Sequence, residues 1–314
     1  MDAARIAELF DLGARPVFSA EAVATGRLGA VRLLETADGR WAVKTPTGRW
    51  DLDDVGRTSA FQEAAQAHGV AAPRIRRTVD GAVVAVLDGR QVRVHEWLDL
   101  APPDPLADPA QVGTVLGRLH TVPAGDPGDR QPWYEHPVGP AGWDGLVVDL
   151  QAAGAPFAGA LAALRDELVA LESWLGPPTT LRLCHRDLWA DNLRRGPDGQ
   201  LHVIDWDNSG AADPAEELAM VLFEYGRTDP ARARALVDAY EAAGGPGRIR
   251  GPRQFGMLVA ILGHIIELAG RNWLAAAPGS PEQADAEAWI RESLDDPHTR
   301  ARLHELIGVA GRPS

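Results

Sequence analysis

The sequence has one cysteine, one lysine and no long apolar run. Cys184 alone can form neither an intrachain disulfide nor a cysteine-based zinc site. The apolar stretch from Phe255 to Gly263 stops at His264, short of the roughly 20 residues that a membrane span requires. The first residues, MDAARIAELF, lack the basic start and apolar core of a signal peptide. We therefore expect a soluble, cytoplasmic protein without a membrane partner.

Basic charge is also scarce, because the formal net charge is −13. A nucleic-acid partner requires a basic face, so we expect none. The acidic excess is compatible with a cationic substrate, and solvated surface acids explain it equally well. With 314 residues, of which 45% are hydrophobic, the chain is long enough for one two-lobed unit or two domains.

The rarity of lysine is the sharpest feature of the composition. Only Lys44 is a lysine among the 31 basic residues, and all the others are arginines. Arginine presents a planar fork, whereas lysine presents a compact point charge. A lysine kept in such a composition indicates a task that a guanidinium does not perform, although a single leftover codon would give the same count.

The first hundred residues are rich in β-hairpin signals. Asp38-Gly39 lies between two apolar runs, and Asp-Gly pairs also flank Ala82–Leu87. Val92–Trp97 predicts a further strand of an antiparallel sheet of about five strands. One helix, Thr58–His68, is predicted inside this region.

The rest of the chain is mostly helical in pattern. Pro/Gly-rich connections, Ala101–Ala110 and Pro123–Gly145, flank a short helix. The aromatic residues of the second connection, Trp133, Tyr134 and Trp143, either face a substrate or pin the loop to the core. The predicted helices are Val112–Thr121, Ala158–Trp174, Pro214–Tyr225, Pro230–Ala243, Arg253–Leu274 and Pro281–Ile307, and short β-like runs occupy Leu181–Asp207.

The chemistry is concentrated in His185-Arg186-Asp187-Leu188-Trp189-Ala190-Asp191-Asn192 and in Ile204-Asp205-Trp206-Asp207. Asp187 is placed to accept the proton of an attacking hydroxyl. Asn192 and Asp205 offer the hard oxygen ligands that Mg²⁺ prefers. Phosphoryl transfer requires this positioning and charge neutralisation more than covalent chemistry.

The two segments together resemble the aminoglycoside phosphotransferase and choline kinase family of protein-kinase-like small-molecule kinases. His185, Asp187 and Asn192 match the family's H-x-D-x-x-x-x-N pattern, and Ile204-Asp205-Trp206 matches its I-D-W pattern. The resemblance implies an α+β, two-lobed protein-kinase-like fold. It implies a β-rich N-terminal nucleotide-binding lobe at residues 1–98 and a mostly helical catalytic and substrate-binding lobe at residues 99–314.

The resemblance also implies how a nucleotide would be held. Lys44 stands where the family has its phosphate-binding lysine, and Glu63 stands where a helix carboxylate pairs with that lysine. Glu96-Trp97-Leu98 corresponds to the segment between the lobes whose backbone binds adenine. Gly26 and Gly29, in Thr25-Gly26-Arg27-Leu28-Gly29, either cover the phosphates or form an ordinary hairpin turn. The expected ligands are ATP or GTP and Mg²⁺.

Three other positions have structural interpretations. Arg186 stands where many antibiotic kinases have glycine. Asp213 should cap a helix that has Pro214 at its first position, and Glu217 replaces an aspartate of the family pattern. Cys184 should be a buried, inert thiol.

The acceptor is the least determined part of the prediction. An aminoglycoside, amino sugar or other antibiotic is expected first. A metabolic amino alcohol, sugar or fructosamine-type amine is the alternative, and a nucleotide-binding pseudokinase is an alternative of another class. The residues that could contact the acceptor are Asp191, Asp207, Glu267 and Trp273, and each has an ordinary structural interpretation too. The oligomeric state is not predicted.

Overall fold

A computed structural model describes residues 1–26 and 29–311 of the chain. The described residues pack into two compact units. Among the described residues, the first unit contains residues 1–26, 29–104, 122–124 and 187–209, and the second contains residues 105–121, 125–186 and 210–311. The Asp187–Ser209 segment therefore packs with the first hundred residues. Assigning nucleotide binding to residues 1–98 and substrate binding to residues 99–314 stays a prediction.

The elements of the first part of the chain are mostly strands. In order they are α1 (Ala3–Leu9), β1 (Val17–Phe18), β2 (Ala24–Gly26), β3 (Gly29–Thr36), β4 (Gly39–Pro46), α2 (Leu52–Ala67), β5 (Ile75–Arg76), β6 (Ala85–Leu87) and β7 (Arg90–Glu96). The second part is mostly helical. Its elements are α3 (Pro109–Thr121), α4 (Pro140–Ala152), α5 (Ala158–Glu172), β8 (Arg182–Cys184), β9 (Leu193–Arg195), β10 (Leu201–Val203), β11 (Gly210–Ala212), α6 (Pro214–Gly226), α7 (Pro230–Ala242), α8 (Gly256–Ala275), α9 (Pro281–Asp295) and α10 (Arg300–Ala310).

The first unit is built on an antiparallel sheet in the order β1-β3-β4-β7-β5, with β2 paired to β3 and β6 paired to β7. The predicted Asp38-Gly39 turn joins β3 to β4, because Thr36 pairs with Gly39. Alternate side chains of this sheet pack with α1 in a core that includes Ile6, Phe10 and Val43. The β9–β10 hairpin belongs to the same unit.

The second unit contains a helical core and the short β8–β11 pair. Its core cluster includes Trp143, Leu146 and Leu150 of α4, which pack with Phe157 and Ile266. Elsewhere α3 packs closely on α7. A Cβ added at Gly113 would lie 2.1 Å from the Leu236 carbonyl oxygen, so glycine is required for this close approach.

The fold class predicted from the sequence, an α+β arrangement with a β-rich part and a mostly helical part, is confirmed. The structure adds two helices, α1 and α4, that the sequence reading did not contain. Pro140, Gly142 and Gly145 gave α4 the composition of a loop. The predicted helix Pro281–Ile307 is two helices, α9 and α10, because Pro297 follows the end of α9 and Thr299 caps α10.

The aromatic residues of the second connection are anchors. The Trp143 side chain is fully buried and its indole N–H donates to Glu172 Oε1 at 2.9 Å. Tyr134 is also buried, and the Trp133 ring stacks on His264 with 5.1 Å between ring centroids. The interpretation that these residues pin the segment to the core is the one that the structure supports.

Among the described residues, one helical segment is long and apolar enough to cross a membrane by length and composition alone. Within this segment, Pro252–Ala275, an 18-residue window has a mean hydropathy of 1.2, and 56% of that window is buried inside the protein. Core helices of globular proteins pass the same test. The apolar run that is visible in the sequence ends at His264, inside this helix.

Candidate active site

Asp187 is held by two side-chain amides. Asn192 Nδ2 donates to Asp187 Oδ2 at 2.9 Å and to the Asp187 carbonyl oxygen at 2.9 Å, and Asn208 Nδ2 donates to the same Oδ2 at 3.0 Å. Burial, and to a smaller extent the nearby charge of Asp205, raise the pKa of Asp187 to about 7, although the side-chain donors that bind the carboxylate oppose this change. The carboxylate is thus fixed in orientation before any ligand binds.

Asn192 and Asp205 lie at the same end of the β9–β10 hairpin. Leu193 pairs with Val203, and the next residue, Ile204, donates its backbone N–H to the Asn192 carbonyl oxygen at 2.9 Å. Asp205 has a left-handed backbone with φ of 56°, a conformation that is uncommon for residues other than glycine. The left-handed turn at Asp205 therefore lies at the end of the hairpin that also carries Asn192.

These two residues fit a hard divalent cation. The Asn192 side-chain nitrogen donates both of its hydrogen bonds to Asp187. The Asn192 Oδ1 atom accepts no hydrogen bond from the described part of the chain. The Asp205 side chain is 39% exposed, and only its Oδ1 is engaged among the described residues, by Lys44. A neutral amide oxygen and a carboxylate are ligands suited to Mg²⁺ or Ca²⁺.

Lys44 lies between two carboxylates. Its Nζ is 2.6 Å from Asp205 Oδ1 and 2.8 Å from Asp207 Oδ2. Burial works to lower the pKa of Lys44, but the charges of Asp205 and Asp207 outweigh it and hold the pKa above the usual value. The ammonium group is therefore charged at neutral pH.

The expected pair between Lys44 and Glu63 is wrong for this structure. The Glu63 carboxylate accepts hydrogen bonds from Arg77 at 2.8 to 3.1 Å. Arg77 directly follows β5, the strand after the helix that carries Glu63. Asp207 supplies Lys44 with its second carboxylate instead.

Asp207 is one of the candidates for contact with the acceptor, and in the structure its carboxylate has internal partners. Its Oδ1 accepts a hydrogen bond from Arg93 Nη1 at 2.6 Å while its Oδ2 binds Lys44. Burial works to raise the pKa of Asp207, but Lys44 and Arg93 hold it below the usual range. Both oxygens of this carboxylate are committed to internal cations.

Arg93 and Asn208 were missed in the sequence reading. Arg93 stands between Val92 and Val94, so strand alternation places it opposite their buried face, where an arginine ordinarily faces solvent, and the sequence alone carries no signal of its buried partner. Asn208 directly follows the Ile204–Asp207 motif. Its amide is suited to orienting a carboxylate, but sequence spacing does not say which one.

A buried network in the helical unit holds the residues that lead into Asp187. Glu217 accepts hydrogen bonds from the backbone N–H groups of His185 and Arg186. Its Oε2 also lies 2.7 Å from His120 Nε2, and His120 Nδ1 lies 2.8 Å from the Tyr240 hydroxyl. Glu217, His120 and His185 are almost completely buried, and the predicted structural role of Glu217 agrees with these contacts.

Other structural expectations around this segment are confirmed. Arg186 has φ of 65°, which explains why glycine suits this position, and its guanidinium lies 4.0 Å from the centre of the Tyr134 ring. Asp213 caps α6 by accepting a hydrogen bond from the Ala215 N–H, with Pro214 at the first helical position. Cys184 is buried, and burial raises the pKa of its thiol.

The segments predicted to hold a nucleotide are only partly described. Gly26 pairs with Gly29 across the β2–β3 hairpin, and the connecting residues Arg27 and Leu28 lie outside the described residues. A Cβ at Gly29 would lie 2.2 Å from the Thr45 carbonyl oxygen, so sheet packing already requires this glycine. A phosphate-binding role for either glycine stays a prediction.

The backbone of the predicted adenine segment is mostly engaged. The Glu96 N–H donates to the Arg74 carbonyl at 2.8 Å, and the Trp97 N–H donates to the Arg40 carbonyl at 3.0 Å. The Leu98 N–H donates to no acceptor among the described residues. Of the three predicted residues, Leu98 is therefore the one that offers a donor to a ligand.

The remaining candidates for substrate contact have mixed outcomes. Asp191 is exposed. Glu267 is bound by Arg271 at 2.8 Å and lies 3.6 Å from His264 Nδ1. Trp273 was a wrong candidate, because it is buried in the helical core and contacts Phe157 edge-to-face, with ring centroids 5.7 Å apart. The sequence pattern of this helix does not show whether Trp273 faces the core or the solvent.

Comparison with known proteins adds an independent observation. Residues 19–252 match the model of a family described as the phosphotransferase enzyme family. The chain belongs to this family. It is thus a phosphotransferase with a hydroxyl group as acceptor, as its motifs predict.

The phosphotransferase is similar to kinases that act on different acceptors according to their names. It is 30% identical over 242 residues to a homoserine kinase of Bradyrhizobium sp. strain BTAi1, which covers 74% of this chain and 72% of the relative. Spectinomycin phosphotransferase APH(9)-Ia, solved with ADP and spectinomycin, aligns with a TM-score of 0.70 at 14% identity, over 99% of this chain and 98% of that one. Amicoumacin kinase hAmiN, solved with AMP-PNP and Ca²⁺, aligns with a TM-score of 0.62 at 16% identity, over 96% and 95% of the chains. The two solved structures support the protein-kinase-like fold.

Proposed function

We propose that this phosphotransferase moves the γ-phosphoryl group of ATP to the hydroxyl of a small amino alcohol or hydroxy amino acid of the homoserine type. The observation that carries the transfer chemistry is the fixed Asp187 carboxylate in the same unit as the Lys44–Asp205 ion pair. A non-catalytic nucleotide-binding protein would not need a carboxylate oriented by two amides. The pseudokinase alternative is therefore disfavoured.

Each of these residues has a separate task in the proposed mechanism. Asp187 accepts the proton of the acceptor hydroxyl as that oxygen attacks the γ-phosphorus, and the bond to the ADP leaving oxygen breaks. Lys44 places its ammonium against phosphate oxygens. Asn192 and Asp205 would hold Mg²⁺, which when bound neutralises phosphate charge. Ligands in the solved relatives, AMP-PNP with Ca²⁺ and ADP, support a triphosphate nucleotide with a divalent cation.

The acceptor class rests on sequence similarity. The homoserine kinase is 30% identical over most of both chains, whereas the spectinomycin and amicoumacin enzymes share 14% and 16% identity and support the fold alone. The aminoglycoside or antibiotic acceptor expected first from the sequence is the second candidate. GTP is the alternative phosphate donor. The acidic chain suits a cationic amino group in either acceptor class.

An acceptor panel tests the proposal. ADP release would be measured with ATP and Mg²⁺ against homoserine, ethanolamine, choline, aminopropanol, spectinomycin and other aminoglycosides, neutral sugars and fructosamines. 2-Aminobutyrate, which lacks the hydroxyl of homoserine, is the matched acceptor control. Turnover with homoserine or an amino alcohol, absent with 2-aminobutyrate, supports the proposal. Turnover only with aminoglycosides would select the second candidate, and nucleotide binding without any turnover would select the pseudokinase.

A further inference from the structure

Lys44 and Arg93 are direct neighbours across two strands. They pair in register on β4 and β7, so both side chains leave the same face of the sheet. Like charges directly opposite each other on a sheet repel. Asp207 removes this repulsion, because one of its oxygens binds each cation, at 2.8 Å and 2.6 Å.

Arg93 is anchored more firmly than the lysine beside it. Only 1% of its side chain is exposed, compared with 16% for Lys44. Its Nη2 donates to the buried Ser59 hydroxyl on α2 at 3.1 Å, and its guanidinium carbon lies 5.6 Å from the centre of the Trp50 ring. The guanidinium fork thus fixes Asp207 against both the sheet and α2.

The carboxylate that would otherwise orient Lys44 is engaged elsewhere. Glu63, also on α2, makes its ion pair with Arg77. Asp205 is the proposed ligand of a divalent cation, so its charge is shared with that ion when a nucleotide binds. Asp207 is then the carboxylate left to Lys44, and Arg93 determines where Asp207 lies.

We infer that Arg93 is a positioning residue, which orients Lys44 for the nucleotide phosphates through Asp207. This inference rests on the proposed function, in which Lys44 binds phosphate. Without the Arg93 charge, both oxygens of Asp207 are free to turn to Lys44 and draw the ammonium away from its position. Removing Arg93 should therefore weaken nucleotide binding without affecting the acceptor.

The test compares Arg93→Met, Arg93→Lys, Asp207→Asn and Glu63→Gln with the parent protein. Affinity for Mg²⁺–AMP-PNP is measured by calorimetry, and the KM values for ATP and for the acceptor found in the panel are measured separately. We expect Arg93→Met and Asp207→Asn to weaken nucleotide affinity by about tenfold to a hundredfold, as expected when a buried charge pair loses one partner. Glu63→Gln, the matched carboxylate control, should stay within about twofold because its partner is a surface arginine.

The conservative variant separates positioning from general damage. Arg93→Lys keeps the charge but cannot bind Asp207 and Ser59 in one fork, so we expect an intermediate loss. The acceptor KM should stay within about twofold in every variant, since none of these residues is proposed to touch the acceptor. If Arg93→Met does not fold, Arg93→Lys and Asp207→Asn carry the same comparison at a temperature where both are folded.

The outcomes distinguish this inference from the proposed function. The role of Arg93 would be overturned, and the proposed function left standing, by any of three results. These are parental nucleotide affinity in Arg93→Lys and Asp207→Asn, a larger loss of affinity in Glu63→Gln, and equal changes in the KM values for ATP and for the acceptor. A parent protein that binds no nucleotide would overturn the proposed function, and this inference with it. The measurement of nucleotide affinity requires no acceptor, so it tests the role of Arg93 even if no compound of the panel is turned over.

Discussion

Asn208 Nδ2 donates a hydrogen bond to Asp187 Oδ2 at 3.0 Å, and Asn192 Nδ2 donates to the same oxygen at 2.9 Å. Two amide donors therefore hold the same oxygen of the carboxylate, and the Trp189 side chain is a further donor to the group. We expect Asn208→Ala to lower kcat by about tenfold to a hundredfold, the range for losing a hydrogen bond to a charged group. Nucleotide affinity should be unchanged, since Asn208 has no proposed phosphate contact. An unaltered kcat would show that the remaining donors, Asn192 and Trp189, orient Asp187 without Asn208.

The single lysine gives a prediction that needs no acceptor. An amine-reactive ester should modify only one side chain, Lys44, besides the terminal amine, because the sequence contains no other lysine. Mg²⁺–AMP-PNP at ten times its dissociation constant should slow modification by about tenfold, through occupancy alone. Peptide mass spectrometry measures both rates. Equal labelling with and without nucleotide would contradict the proposed contact between Lys44 and the phosphates.

Glu217 should be important for stability. Its carboxylate is buried with His120 and accepts two backbone hydrogen bonds, so Glu217→Gln removes a charge from a closed network. We expect the free energy of unfolding to fall by about 3 kcal/mol, as for a broken buried pair. Glu287→Gln removes the helix-surface pair with Arg291 and should cost at most about 0.5 kcal/mol. Denaturant unfolding of both variants makes the comparison, and equal losses would contradict it.

His298 predicts how stability depends on pH. Burial lowers its pKa to about 4 from 6.5, so the folded state resists a proton that the unfolded chain accepts. The contribution of neutral His298 to the free energy of unfolding is fully present above about pH 6.5. As the pH falls towards 4, this free energy decreases by up to about 3 kcal/mol. In His298→Asn the free energy of unfolding should change less over that pH range than in the parent. The His136 side chain is exposed, so His136→Asn should show the same pH dependence as the parent. The same pH dependence in His298→Asn and the parent would reject this assignment.

The sequence was sufficient for the local parts of the site. The residues from His185 to Asn192 and from Ile204 to Asp207 are close in the chain, and the hairpin between them brings their ends together. The Asp-Gly turns and the helix caps are likewise local, so the strands beside Asp38-Gly39 and the start of α6 were predicted correctly.

The errors concern contacts between distant segments. Glu63 was assigned to Lys44, but Arg77 competes for it through a placement that no local pattern encodes. Arg93 and Asp207 are separated by 114 residues and meet only in the folded unit. Trp273 lies on an amphipathic helix whose buried face depends on the neighbouring helices. In α4, glycine and proline hid a helix that is stabilised by burying Trp143, Leu146 and Leu150.

The most direct test of the account is phosphoryl transfer by Asp187→Asn, measured as formation of the phosphorylated acceptor with whichever compound the parent turns over. We expect the rate to fall by about a hundredfold to ten-thousandfold, the contribution of a general base. Melting temperature and affinity for Mg²⁺–AMP-PNP should stay close to those of the parent, because the amide is nearly the same shape as the carboxylate. A variant that transfers phosphate at the parent's rate would show that Asp187 is not the base and would contradict the account.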